Sequence, residues 1–102
     1  MITPAVVPGR SSAWAQYTLR VPGKRDEFAR RLSERSIATA VYYPTPLHRQ
    51  EAFSELACRD EDFRASNTLS NEVISLPMHP FLDDDAVRTV SAAIEEALCG
   101  TR

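Results

Sequence analysis

Tyr42 and Tyr43 close a β-branched, apolar run, and Pro44, Pro46 and His48 follow within five residues (YYPTPLH). A phenol pairs a donor and acceptor with an apolar ring, and a neutral imidazole carries one donor and one acceptor. The two prolines hold the backbone extended. Oriented polar groups on a stiff chain lose little freedom when a ligand arrives. The pattern suits a polar-ligand site at a strand end. It also suits two packed tyrosines on a chain that merely turns. A second stretch, ISLPMHPFL at 74–82, sets His79 between Pro77 and Pro80. Such a rigid apolar loop would shape a pocket rim or an interface, with His79 a packed or solvated residue rather than a catalyst.

Other chemistries find no support. The histidines, His48 and His79, lie far from Cys58 and Cys99, so the tight ligand pairs of a zinc site are missing and no metal is expected. Asp83, Asp84 and Asp85 resemble a cation site, but a capped helix start explains all three. With Gly9, Gly23 and Gly100 the only glycines, no glycine-rich phosphate loop is expected. Neither histidine has a recognisable nucleophile partner. The basic residues are eleven arginines and one lysine, Lys24. Lys24 opens a helix after Pro22-Gly23, where water solvates it, and a solvated ammonium does not readily form a Schiff base. Arg20 and Arg49 could meet a diphosphate or carboxylate, though surface arginine is the simpler assignment.

Composition sets the frame. Across 102 residues, 43% are hydrophobic and 25% charged, with a net charge of −2, as in an ordinary folded domain and unlike a disordered chain. The charge balance excludes the basic footprint of a nucleic-acid binder. No apolar run approaches the roughly 18 residues of a membrane span, and the start lacks a signal-peptide pattern. Two cysteines with no export signal are expected to be reduced thiols, partly buried, in a cytoplasm.

The elements that must hold the tyrosines follow from periodicity. Residues 1–12 carry Pro4, Pro8 and Gly9 without a period and read as a linker or tail. Residues 14–21 (WAQYTLRV) alternate as a half-buried strand, with Ala15, Tyr17, Leu19 and Val21 on one face. Residues 24–35 predict a helix with Phe28 and Leu32 inward, acids first and arginines last. Ser36 stands where a helix end favours glycine. Residues 37–43 (IATAVYY) predict a second strand. Residues 50–57 predict a short helix with Phe53 and Leu56 inward, and 65–72 another. Residues 73–76 predict a strand stopped by Pro77. Asp83 predicts an N-cap for a helix buried along Val87, Val90, Ile94 and Leu98, with Gly100 after its end. The sum is an α+β fold: a small mixed or antiparallel sheet with helices packed on one face.

YYPTPLH followed by SLPMHP resembles the C-terminal small domain of the DegT/DnrJ/StrS family of sugar aminotransferases. The likeness also takes in WAQYTLRV, KRDEF, SIATAVYYPTPLHRQEAF, an acidic loop with Phe63, and NEVISLPMHPFLDDDAV. It departs from the family at Ser36, commonly glycine, and at Arg64, where proline commonly follows the phenylalanine. The resemblance implies the small domain of the aspartate-aminotransferase-like fold over residues 13–102. It implies a pyridoxal-phosphate enzyme of amino-sugar biosynthesis acting on nucleotide-linked keto-sugars, most like the branch using UDP-linked 3-keto sugars, and usually a homo-oligomer. Tyr42, Tyr43 and His48 then fall on substrate-contact positions. The family's cofactor lysine, pyridinium carboxylate and phosphate cradle belong to a large domain. This chain is therefore expected to hold no cofactor or catalytic residue and to be inactive alone. The alternative is a free-standing α+β ligand-binding or regulatory module.

Overall fold

The computed structural model describes residues 1–100. Its elements run β1 (Tyr17–Arg20), α1 (Arg25–Glu34), three 3-10 turns (Leu47–Arg49, Glu51–Leu56 and Asp60–Phe63), α2 (Arg64–Glu72), β2 (Val73–Leu76) and α3 (Asp84–Cys99). β1 and β2 pair antiparallel, with Leu19 opposite Ile74 and Thr18 opposite Ser75. Successive strand residues point to opposite faces. One face therefore gives Leu19, Val21 and Ile74 to a core completed by Phe28 and Leu32 of α1 and by Ala93, Ile94 and Ala97 of α3. On the other face Thr18 and Ser75 share a hydrogen bond of 2.8 Å. This is the expected α+β arrangement, with α1 and α3 on one side of a small antiparallel sheet.

The predicted strand at 37–43 shrinks to one bridge, Ala40 with Ser75. Ala40 and Ser75 exchange both backbone hydrogen bonds, at 3.1 and 2.7 Å. The next ladder steps would need residue 77 on one side and residue 73 on the other. Pro77 has no N–H to give. The Val73 N–H is already bonded to the Leu69 carbonyl, and its own carbonyl accepts from Arg25 Nη1 at 3.1 Å. Pairing stops because both neighbours are spent. On the far edge of β1, Ile2 bridges Arg20.

Ser36 shows what the missing glycine costs. Its N–H bonds the Ser33 carbonyl and the Ile37 N–H bonds the Leu32 carbonyl, closing α1 in a Schellman arrangement. That closure needs a left-handed residue, and Ser36 has φ +59°. Serine there is less favourable by about 1 kcal/mol. At the other helix end Asp83 caps α3 as expected, accepting from the Ala86 N–H at 2.8 Å.

Three details differ from the periodicity. α3 buries Ala93, Ile94 and Ala97, while Val87 is exposed, because small residues face α1. Gly100 sits at φ −75°, so left-handed freedom is not its use. A Cβ there would lie 1.9 Å from Arg31 Nη1. The glycine gives room to a guanidinium that reaches from α1 to the Ala97 and Gly100 carbonyls at 3.4 and 2.7 Å, a cation on the negative end of α3. Finally, Phe53 and Leu56 are exposed rather than inward, and Cys58 and Cys99 are exposed free thiols rather than partly buried ones.

None of the three 3-10 turns adds a side chain to the core cluster. The chain exposes 7530 Å², against about 5,800 Å² for a compact monomer of this mass. The excess, roughly 1,800 Å², exceeds the ~800 Å² that one partner contributes to an ordinary interface.

Candidate functional site

Beyond the Ala40 bridge the chain leaves the sheet through Tyr42 and Tyr43, which are joined by a cis peptide bond. Their rings meet edge to face with centroids 5.9 Å apart. Tyr43 is 71% exposed. Pro46 then starts the first 3-10 turn, which carries His48 inward. The His48 side chain is only 4% exposed. Its ring stacks on Phe63 at 4.5 Å and 18°. Together Tyr42, Tyr43, Leu47, His48, Phe63 and Leu69 line an open cleft of about 400 Å³. The three residues picked from the sequence are thus brought together. Tyr42 also lines a second cleft of about 220 Å³, shared with Gln16, Ala38, Ser75 and Met78.

The polar groups behind the wall are mutually committed. His48 Nε2 lies 3.0 Å from Asp60 Oδ1. Arg49 donates to the same carboxylate through Nε at 2.8 Å and Nη2 at 2.6 Å. These bonds, from Arg49 first and His48 second, pull the Asp60 carboxyl from its ordinary 3.8 down to about 2. The same pairing raises Arg49. A lowered carboxyl stabilises the folded loop fully above its unfolded value and stops doing so as pH falls through its folded one. On acidification the stacking shift that Phe63 imposes on the His48 ring protons, followed by NMR, is therefore expected to persist down to pH 3.8 and to vanish towards about 2. Loss of that shift already near neutral pH would contradict this coupling.

Arg49 and Arg20 hold no charge in reserve for an anion, since Arg20 is bound to Glu72 at 2.9 and 2.7 Å. His79 accepts from the Phe81 N–H and serves its own loop. Asp60 and Asn67 escaped the sequence reading. They join His48 only through folding across more than ten residues, and no local pattern announces that. Asn67 Nδ2 donates to the Asp60 carbonyl at 3.0 Å, while its Oδ1 is buried without a partner.

The residues around Lys24 do not fit pyridoxal phosphate. Lys24 lies at the start of α1 in a concavity of about 510 Å³ with Asp26, Glu27 and Glu72, where a phosphate would meet three carboxylates and the ring no aromatic face. The neighbouring Arg25 is committed to Asp26 and to the Ser70 and Val73 carbonyls. Arg31 first, with Lys24 contributing, holds Glu27 below its usual value, so that acid stays charged. No group of three or more potential metal ligands occurs among the described residues either.

The pattern of the DegT/DnrJ/EryC1/StrS aminotransferase family matches residues 1–95. The chain belongs to that family. Among relatives of this DegT-family chain, a pleiotropic regulatory protein of Geobacillus stearothermophilus is 41% identical over 96 residues, covering 94% of this chain and 26% of that protein. The UDP-2-acetamido-2-deoxy-3-oxo-D-glucuronate aminotransferase of Pseudomonas aeruginosa is 33% identical over 90% of this chain and 24% of its own length. Among solved structures, a DegT DnrJ EryC1 StrS aminotransferase from Brucella abortus superposes with a TM-score of 0.84 at 30% identity, over 93% of this chain and 25% of that one. S. venezuelae DesV in complex with a ketimine intermediate gives 0.83 at 30%, over 94% and 26%. The DegT-family chain thus spans about a quarter of the length of the relatives it matches. Among its described residues, no helix is long and apolar enough to cross a membrane.

Proposed function

We propose that this chain is the C-terminal domain of a pyridoxal-phosphate aminotransferase of amino-sugar biosynthesis, and that its Tyr42–Tyr43–His48 wall closes one side of a nucleotide-sugar cleft. The observation that carries this reading is the wall itself. It is aromatic, stiffened by two prolines, and open on the side where the described residues offer no opposite wall. Tyr42 and Tyr43 contact the nucleotide-linked keto-sugar, and His48 shapes the same surface. In the intact enzyme a lysine-bearing large domain holds the cofactor and covers much of the excess exposed area. The cofactor supplies the electron sink for amino transfer, and this chain's residues bind and orient the sugar. A homo-oligomer completes the assembly. The compartment is the cytoplasm, where Cys58 and Cys99 stay reduced.

The name of the Geobacillus relative favours a second reading, a regulatory module that binds a ligand without turnover. The surplus of exposed surface weighs against a free-standing module, because an independent domain covers its own apolar area. The deciding experiment mixes the chain with pyridoxal phosphate, glutamate and a UDP-linked 3-keto sugar. Expected are no stable imine absorption band and no amino transfer until the large domain is supplied. Turnover by the chain alone refutes the proposal. Failure to gain activity, or even to associate, once the large domain is present favours the regulatory module.

A further inference from the structure

The cleft wall has a mechanical problem. It runs through 3-10 turns that add no side chain to the core cluster, although the His48 side chain itself is turned inward. Proline stiffness acts only along the chain and leaves the side-chain directions open. Something else must fix the His48 ring. We infer that Asp60 is the positioning residue of this wall. Its carboxylate holds His48 and Arg49 together, and its carbonyl is tied to Asn67 of α2. The inference deepens the proposed function and rests on it for its consequence in substrate binding.

The geometry is specific. Asp60 Oδ1 is shared between His48 Nε2 at 3.0 Å and Arg49 Nε at 2.8 Å, and Oδ2 takes Arg49 Nη2 at 2.6 Å. An ionised carboxylate only accepts, so His48 must carry its proton on Nε2. That bond, with the Phe63 stack on one ring face, sets both ring rotation and tautomer. Asn67 Nδ2 anchors the Asp60 carbonyl at 3.0 Å, linking the hub to a regular helix. His48 is therefore held in one orientation, with Nε2 taken by Asp60 and one ring face covered by Phe63. Arg49 likewise braces the turn. Fixing a binding surface before the ligand arrives lowers the cost of binding it, so removing the brace acts on substrate affinity and leaves the chemical step alone.

The test uses Asp60→Ala and Asp60→Asn. In the chain itself, nitrogen NMR of His48 is expected to show the Nε2–H form, with a ring-current shift from Phe63. Asp60→Ala should lose both. Asp60→Asn keeps an acceptor oxygen for Nε2–H and should restore the tautomer, although the ion pair with Arg49 is gone. In the enzyme joined to its large domain, Asp60→Ala should raise the KM for the UDP-linked sugar about tenfold with kcat within about twofold, and Asp60→Asn should recover most of it. An unchanged His48 tautomer and ring-current shift in Asp60→Ala overturn the inference. So does a fall in kcat at constant KM. Should Asp60→Ala not fold, Asp60→Asn is judged by the same signals, and loss of the Nε2–H form there counts against Asp60 as the brace. If the wild-type enzyme ignores nucleotide sugars, the functional reading fails, while the His48 signals still decide whether Asp60 positions the wall.

Discussion

Phe28→Ala is expected to destabilise the chain by about 3–5 kcal/mol, the usual cost of emptying a large aromatic site in a packed core. Phe28 is 0% exposed and shares that core with Leu19, Leu32 and Ile74. Among the described residues only eight hydrophobic side chains are buried, so the domain should lie near the low end of the ~5–15 kcal/mol typical of folded proteins. One substitution would then remove most of its stability. In a urea titration followed by circular dichroism, the midpoint should fall by roughly 2 M or the cooperative transition should disappear. Phe81→Ala is the control. Phe81 is 89% exposed, so its loss should move stability by less than about 0.5 kcal/mol. Equal effects from the two phenylalanines would mean that the sheet-and-helix core does not hold the fold.

The second large effect concerns binding. Replacing Tyr42 and Tyr43 together by alanine removes the outer aromatic half of the cleft. Both rings are exposed and neither belongs to the core cluster, so the urea midpoint should hardly move. The KM for the nucleotide-linked sugar should rise at least about tenfold, the equivalent of ~1.4 kcal/mol and within reach of two aromatic contacts. The double variant separates wall from scaffold. A raised KM with intact stability supports the proposed contact surface, whereas unchanged KM removes Tyr42 and Tyr43 from it. Comparison with Asp60→Ala adds resolution, because that change should weaken the sugar through a misplaced wall while the tyrosines remain.

Much of this architecture was legible from local pattern. The alternation around Leu19, the Phe28 and Leu32 stripe, the Asp83 cap and the short strand before Pro77 each lie within a few residues, and each has a direct physical signature. The resemblance carried by YYPTPLH and SLPMHP points to the family from sequence alone. Local pattern failed where neighbours distant in sequence compete for the same groups. The run 37–43 has strand chemistry, yet Pro77 and the committed Val73 restrict it to a single bridge. Val87 has core chemistry, yet it stays exposed while α1 packs on Ala93 and Ala97, where close approach is cheapest. Phe53 and Leu56 have the spacing of an inward face, but both remain exposed and neither joins the core cluster.

Residue type and order alone determined the layered α+β class, the two tyrosines on a proline-stiffened exit from the sheet, and a single lysine at a solvated helix start. These follow from properties carried by each residue and its near neighbours: backbone freedom, periodicity and side-chain chemistry. The tertiary structure decided that His48 faces inward, that Arg20 and Arg49 spend their charge on Glu72 and Asp60, and that Asp60 joins His48 to Arg49 behind the wall. A hydrogen bond depends on distance and direction, and the twelve positions from His48 to Asp60 specify neither until the turns and α2 close around them.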